Sequence, residues 1–367
     1  MTSSCPDYRL RLFMSVDLVG STAFKARHSG PNDGGHSPNP AWVDQIRHFY
    51  RDFPDKLNRA YEKVPKPDGW QEGPLAPQVW KTIGDEIVFC CRLSCLSHLI
   101  VCVSAFVTAL ELYGRHLDDQ ENAMLDVKGY GWIAAFPFPN VTVQVFDPTD
   151  QDAIAKLPDQ ELPDEIIESA ADSKPAKFDF LGREIDSGFR TGKYCSADKF
   201  SMSVELAWLF SKYGDEAPIK GVEFTYTGRQ QMKGVLNNRP YPIVALDVER
   251  SAARRKVRDR ERELLSGKPL KAMQVHDFLE SFIDDEGIAR LWLRKSSLDT
   301  SAPQFPSDYS HFRETWESID MELTKRTVSE QQSANEDNQV GDTDELNDAV
   351  VAAGQAMVNH AQSEYPE

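Results

Sequence analysis

The sequence predicts an α+β domain: a mostly antiparallel sheet backed by helices, of the ferredoxin-like kind, followed by a helical region and an acidic tail. Three observations predict it. Leu10, Leu12, Met14 and Val16 alternate with Arg9, Arg11, Phe13 and Ser15, which is the period of a pleated strand. Gln78–Ile83 and Glu86–Leu93 are strand-like runs joined at Gly84-Asp85, which reads as a hairpin. Trp42, Ile46, Phe49, Tyr50 and Phe53 recur at helical spacing between them.

Taken in order, the first strand ends at Asp17-Leu-Val-Gly20-Ser-Thr22 and passes into a helix-like run, Ala23–Arg27. Residues 29–40 and Pro65–Pro77 are loops by their Gly and Pro content. Ala41–Phe53 is a helix, and Ser97–Arg115 a second, strongly apolar one. Met124–Phe136 and Asn140–Phe146 read as strands. Asp147–Lys177, acidic and punctuated by Pro, reads as an insertion with a short helix near Asp164–Ala171. Phe178–Leu181 is a short strand or turn. Ile185–Arg190 starts a helical turn, and Ser196–Tyr213 contains a further helical pattern. Val222–Gly228 and Tyr241–Val248 are strands flanking Met232-Lys233-Gly234.

The composition changes near Glu249, which places a domain at residues 1–249. Arg250–Lys268 carries dense charge of both signs, as on a solvated helix. Ala272–Arg294 and His311–Lys325 look helical, giving a helical extension over 250–327. Residues 328–367 contain no Lys or Arg and read as a disordered acidic tail.

A net charge of −17 over 367 residues argues against a nucleic-acid binder, which needs a basic face for phosphates. A bound metal could still supply local positive charge for a small anionic substrate. No basic-then-apolar signal pattern opens the chain, so a cytoplasmic location is expected. The apolar run Leu96–Leu112 contains Ser97, His98 and Ser104 and reads as a buried helix rather than a membrane span. Four of the six cysteines (Cys90, Cys91, Cys95 and Cys102) lie in one apolar stretch without CxxC spacing; Cys5 and Cys195 stand apart. Buried free thiols are expected, not zinc.

Chemistry concentrates at two acidic positions. Asp17 ends a strand, and a carboxylate there can hold a hard cation. The backbone N–H groups of Gly20, Ser21 and Thr22, opening a helix, suit phosphate oxygens. Asp85 sits in the hairpin turn. If the hairpin pairs beside the first strand, the two carboxylates converge, and they repel unless a cation lies between them. Two carboxylates on two divalent ions suit in-line attack on a phosphate. The plain alternatives are a turn or cap Asp at 17 and a Gly-Asp hairpin turn at 85.

The segment around Asp17 and the motif Lys81-Thr-Ile-Gly-Asp85 resemble the two metal-binding motifs of class III nucleotidyl cyclases. Asp179-Phe-Leu-Gly-Arg-Glu-Ile-Asp186-Ser-Gly-Phe-Arg190 resembles the family's base-reading and arginine segment, and Met232-Lys233-Gly234 its phosphate-binding lysine. Four short motifs occur in family order between about Arg9 and Asp247. The resemblance implies a class III cyclase domain in which Asp17 and Asp85, with the Leu18 carbonyl, hold two Mg²⁺ or Mn²⁺ ions. It implies that Lys81 and Asp179 read the base, that Arg190 stabilises charge on the α-phosphate, and that Lys233 binds the terminal phosphates. It also implies a homodimer whose two sites are each built from both chains. Asp186 departs from the family, which commonly has Asn there. An ionised carboxylate cannot donate to a ribose ring oxygen, so Asp186 pairs with Arg190, binds a ribose hydroxyl, or marks a different ribose placement.

A Lys/Asp pair does not select a base, because every base edge offers an acceptor beside a donor. The segments Val-Asp-Leu-Val-Gly-Ser-Thr and Gly-Arg-Glu-Ile-Asp-Ser-Gly-Phe-Arg, with the acidic insertion, resemble the pyrimidine nucleotide cyclases of bacterial anti-phage defence (Pycsar). That implies conversion of UTP to 3′,5′-cyclic UMP, a messenger for a cyclic-nucleotide-responsive effector. CTP and then ATP are the alternatives. Tyr50 is a candidate pocket wall, or an ordinary packed ring. A catalytically silent dimerisation module would have lost a metal Asp or the Arg. A two-metal nuclease would need a basic groove.

Overall fold

In the computed structural model, residues 4–29, 39–67, 70, 73–119, 124–145, 162–212, 223–264 and 270–326 are described. The expected loop at 29–40, most of the acidic insertion and the tail from 328 lie wholly or largely outside them. The chain divides into two compact units, Met1–Ser310 and His311–Glu367. In the second, residues 311–326 are helical. The first unit runs past Glu249, where composition places a boundary.

The first unit is α+β. Its seven-stranded sheet has the order β2-β3-β1-β4-β7-β9-β8, with β1 Arg9–Val19, β2 Gln78–Ile83, β3 Glu86–Arg92, β4 Asp126–Phe136, β7 Lys199–Met202, β8 Phe224–Gln231 and β9 Pro240–Asp247. Only β4–β7 is parallel. A separate antiparallel ribbon joins β5 Val141–Gln144 to β6 Phe178–Leu181.

The central strand, β1, is buried on both faces. Leu12, Met14 and Val16 are fully buried, as alternation predicts. The other face carries Arg9 and Arg11 and is also buried, under helix α4 (Glu165–Ser173) and the ribbon. Two buried guanidiniums are tolerable only when paired. Arg9 Nη1 lies 2.8 Å from Asp172 and Nη2 bonds Glu165. Arg11 lies 2.7 Å from Glu168 and 2.6 Å from Asp172, donates to Thr142 Oγ1 at 3.0 Å, and stacks over Phe136 and Phe180. Beside it, Phe13, Trp80, Trp132, Phe136 and Phe180 form an aromatic core.

Helices α2 (Ala41–Lys63) and α3 (Leu96–Asp118) pack together against the sheet. Helix α2 continues ten residues beyond the Phe53 end predicted from sequence, through Pro54. An internal Pro costs about 3 kcal/mol. Phe49, Phe53, Leu57 and Ala60 form one buried stripe, with Phe53 against Phe89 and Phe106 and Phe49 against Tyr113; burying four such side chains outweighs that loss. By length and composition α3 could cross a membrane, but most of it is buried in the protein. Its first N–H groups, Leu96 and Ser97, donate to the carbonyls of Arg294 and Lys295, so the returning chain closes the helix start.

Cys91, His98 and Cys102 meet in this core with ligand atoms within 4.8 Å of one another. Both His98 ring nitrogens face backbone groups: Nδ1 accepts from Ser94 N at 3.3 Å and Nε2 donates to Leu75 O at 3.1 Å. Burial holds the imidazole below its ordinary pKa, and the contact with Cys102, followed by desolvation, raises the Cys91 thiol.

The helical pattern at Ser196–Tyr213 resolves into two elements. Strand β7 is too short for a period to show, and Ser203 then caps helix α6 (Val204–Ser211), accepting from Leu206 N. Helix α5 (Arg183–Thr191) follows the ribbon. After β9 come α7 (Ala252–Leu264) and α8 (Ala272–Glu286); the latter packs against α6, where His276 stacks on Trp208. The expected Ala272–Arg294 helix stops at Glu286 because Gly287 takes a left-handed φ of 63°.

Candidate active site

Asp17 lies near the C-terminal end of β1, opposite Glu86 on β3 and Lys128 on β4. The hairpin turn brings Asp85 to the same end of the sheet. Gly84 takes a φ of 63°, which a tight turn requires. Leu18 N donates to the Asp85 carbonyl at 3.3 Å, tying the turn to β1. Two carboxylates 68 positions apart in the chain therefore converge through strand pairing alone.

Burial raises the Asp17 pKa above its ordinary value, the Lys128 ammonium lowers it, and the charges of Asp85 and Glu86 raise it further. Lys128 Nζ stands 3.0 Å from Asp17 Oδ2. The Asp85 carboxylate accepts from Ser21 Oγ and has Lys25 Nζ at 3.4 Å. Glu86, in the layer behind, accepts from Tyr130 OH at 2.6 Å and from Ser15 Oγ. Helix α1 (Ser21–Arg27) starts at Gly20, whose φ is 84°; a Cβ there would sit 2.4 Å from the Met124 carbonyl. Ser21 is buried and turned to Asp85, whereas Thr22 is exposed. The Tyr50 hydroxyl donates to the Gly84 carbonyl, so this ring braces the turn carrying Asp85.

The residues expected at the base, Lys81 on the hairpin strand leading into Asp85 and Asp179 on β6, pair with each other. Lys81 Nζ donates to Asp179 Oδ1 at 2.7 Å and lies 3.9 Å from the Trp80 ring centroid. Asp179 Oδ1 also accepts from Phe180 N at 3.0 Å.

Arg190 and Lys233 share a cleft of about 400 Å³ with Phe189, Lys193, Tyr194, Gln231 and Met232. A Cβ at Gly234 would come within 3.2 Å of Arg190 Nη1. Among the described residues, no carboxylate pairs with Arg190, Lys193 or Lys233, although the chain is strongly acidic. Asp186 is exposed on the first turn of α5 and makes no ion pair with Arg190.

Among the described residues, no hydrogen bond or ion pair joins the carboxylate end to the three-cation cleft, although Cys195, next to Tyr194 of the cleft, lies within electrostatic range of Asp17 and Lys128. Sequence reasoning missed Lys25, Lys128 and Lys193. The i+4 spacing of Lys25 from Ser21 was available in the sequence. Lys128 could be found only through β1–β4 register.

No protein-family model and no curated protein matches the sequence. Solved structures similar to the chain include the adenylyl cyclase CyaB from P. aeruginosa, at 12% identity and a TM-score of 0.43 over 65% of this chain and 94% of that one. The guanylyl cyclase Cya2 is similar at 14% identity and a TM-score of 0.37, over 67% and 93%. The guanylate cyclase domain of RhGC from Catenaria anguillulae, in complex with GTP, is similar at 10% identity and a TM-score of 0.38, over 67% and 100%.

Proposed function

We propose that the protein is a nucleotidyl cyclase that converts a pyrimidine nucleoside triphosphate, UTP in preference to CTP, to its 3′,5′-cyclic monophosphate and pyrophosphate. The observation that carries this reading is the convergence of Asp17 and Asp85 at one end of the sheet. Two carboxylates and the neighbouring Leu18 carbonyl form a hard-oxygen donor set suited to Mg²⁺ or Mn²⁺. Each carboxylate already has a lysine ammonium against it, a stand-in for positive charge at the same place. Two divalent ions bound there supply neutralisation of phosphate charge and acidify the attacking hydroxyl.

The chain's own groups then have distinct tasks. Lys81 offers a donor and Asp179 an acceptor to a base edge. Arg190 presents a planar fork to phosphoryl oxygens as charge develops, and Lys233 neutralises the leaving pyrophosphate. The 3′ oxygen forms a bond to the α-phosphorus while the bond from that phosphorus to its bridging oxygen breaks. Pyrophosphate departs with the electron pair, and the 3′-hydroxyl proton leaves to solvent. A complete site composed of both chains of a homodimer rests on the resemblance of the four sequence motifs to the class III cyclases. The choice of pyrimidine and a cyclic-nucleotide-responsive effector in anti-phage defence rest on the Pycsar-like segments in the sequence.

The test is incubation of the full chain with each of the four NTPs and Mn²⁺ or Mg²⁺, with products identified by mass. Cyclic UMP is the expected major product. No cyclic nucleotide from any NTP would overturn the reading; cyclic AMP alone would overturn the pyrimidine assignment.

A further inference from the structure

Each carboxylate of the candidate metal site has its own lysine, and the two lysines come from different elements. Lys128 is the β4 register partner of Asp17, with Nζ 3.0 Å from Oδ2. Lys25 lies one turn beyond Ser21 on α1, with Nζ 3.4 Å from Asp85 Oδ1. Among the described residues, the third carboxylate, Glu86, has the uncharged hydroxyls of Ser15 and Tyr130 as its hydrogen-bond partners. Two ammonium groups therefore match the two carboxylates that would hold the ions.

We propose that Lys25 and Lys128 are resident counter-ions of Asp85 and Asp17, displaced when metal binds, so that a divalent ion enters together with the nucleotide rather than before it. This rests on the reading of Asp17 and Asp85 as metal ligands. Mg²⁺ binds carboxylate oxygen at about 2.0–2.1 Å, and an ammonium left about 3 Å from the same oxygen repels it in a half-buried site. Metal alone must expel both lysines into solvent. Their side chains are 31% and 33% exposed, so each has a route out. A polyphosphate arriving with the metal supplies the anion that receives the displaced ammonium groups. Metal and nucleotide binding are then coupled, each strengthening the other by the same factor. The feature also separates the two lysines from Lys233: they act on the metal's entry, not on the leaving group.

The experiment measures Mn²⁺ binding to the full chain without nucleotide, from the loss of the free Mn²⁺ electron paramagnetic resonance signal. Wild type is expected to bind weakly. Lys128→Met should tighten binding about tenfold, and Lys25→Met should tighten it as well, because each removes a competing charge. Lys128→Arg keeps the charge and should bind as wild type does, which separates charge from packing. Adding Asp17→Asn to Lys128→Met should abolish the gain. Unchanged affinity in both Met variants, or tightening by Lys128→Arg as well, would overturn the proposal. A gain that survives Asp17→Asn would overturn the placement of the metal itself. Tighter Mn²⁺ binding without cyclic product from any NTP would leave the counter-ion role standing and remove the cyclase reading. A rise in melting temperature on adding Mn²⁺, larger in Lys128→Met than in wild type, checks the same outcome on folded protein.

Discussion

Burial penalises the charge on Asp17, Lys128 offsets part of that, and Asp85 and Glu86 add smaller repulsions. Replacing it with Ala removes both a proposed metal ligand and a source of repulsion. Asp17→Ala should therefore abolish cyclic nucleotide formation while leaving the circular dichroism spectrum and melting temperature near wild type. Arg190 lacks a carboxylate partner among the described residues, so its removal disturbs no ion pair. Arg190→Ala should cut kcat about 10²–10³-fold, the usual effect of losing one preorganised donor at developing charge, with thermal unfolding unchanged. Much of this residue-level picture was legible. The carboxylates, Lys81 with Asp179, and Arg190 with Lys233 are short motifs whose residue types state their chemistry. Lys128 was not legible, because its meeting with Asp17 exists only in the register of two strands more than a hundred positions apart.

At the scale of elements, helix α5 carries Arg190 and packs on the aromatic core, with Gly188 directly against Trp132. A Cβ at Gly188 would fall 2.2 Å from Trp132 Cγ, and Trp132 is fully buried. Gly188→Ala must push α5 off β4. It should lower kcat far more than it lowers expression or solubility, with near-ultraviolet circular dichroism reporting the disturbed tryptophan. Helix α4 is held by the buried Arg9–Arg11 cluster. Arg11→Ala leaves Glu168 buried without its cation and should destabilise the fold by about 3–5 kcal/mol in denaturant unfolding. The same cluster sets an acid limit. Burial raises the Glu165 carboxyl, but the bonds from Arg9, Asp7 N and Ser169 pull it down by more, so it lies below its ordinary 4.5 in the folded chain. A carboxyl depressed in this way contributes stability above about pH 4.5 that is lost as pH falls through the folded value. Hydrogen exchange in Glu165–Ser173 should accelerate below that pH before the central sheet opens. Alternation along β1 disclosed a strand, yet not this cluster. A period of two marks Arg9 and Arg11 as a polar face and cannot say that three acidic residues more than 150 positions away would cover it. Likewise, Pro54 signals a helix end locally, and only the buried stripe around it explains why the helix continues.

At the scale of the whole molecule, the proposed homodimer with composite sites makes a prediction about assembly. Alone, Asp17→Ala should be inactive and Arg190→Ala reduced about 10²–10³-fold. Mixed and allowed to exchange subunits, they should regain cyclic nucleotide synthesis, because one of the two sites in the mixed dimer is intact. Failure to regain activity in a demonstrated mixed dimer would show that the site is completed within one chain. The fold class was readable from the order of elements, but the extent of the first compact unit was not. Composition changes at Glu249, while packing continues through α8 and the segment that reaches Arg294 and Lys295.

That returning segment has a practical consequence. The carbonyls of Arg294 and Lys295 close the start of α3, a long and strongly apolar helix, and Trp292 and Tyr309 come back to Tyr8 and Pro6 at the other terminus. A fragment trimmed at Glu249 would keep every proposed ligand and still expose the beginning of α3 and the Trp208 face of α6. It should come out of cells as insoluble material, and transplanting the first 249 residues onto another protein as a portable module should fail unless residues through Ser310 travel with them.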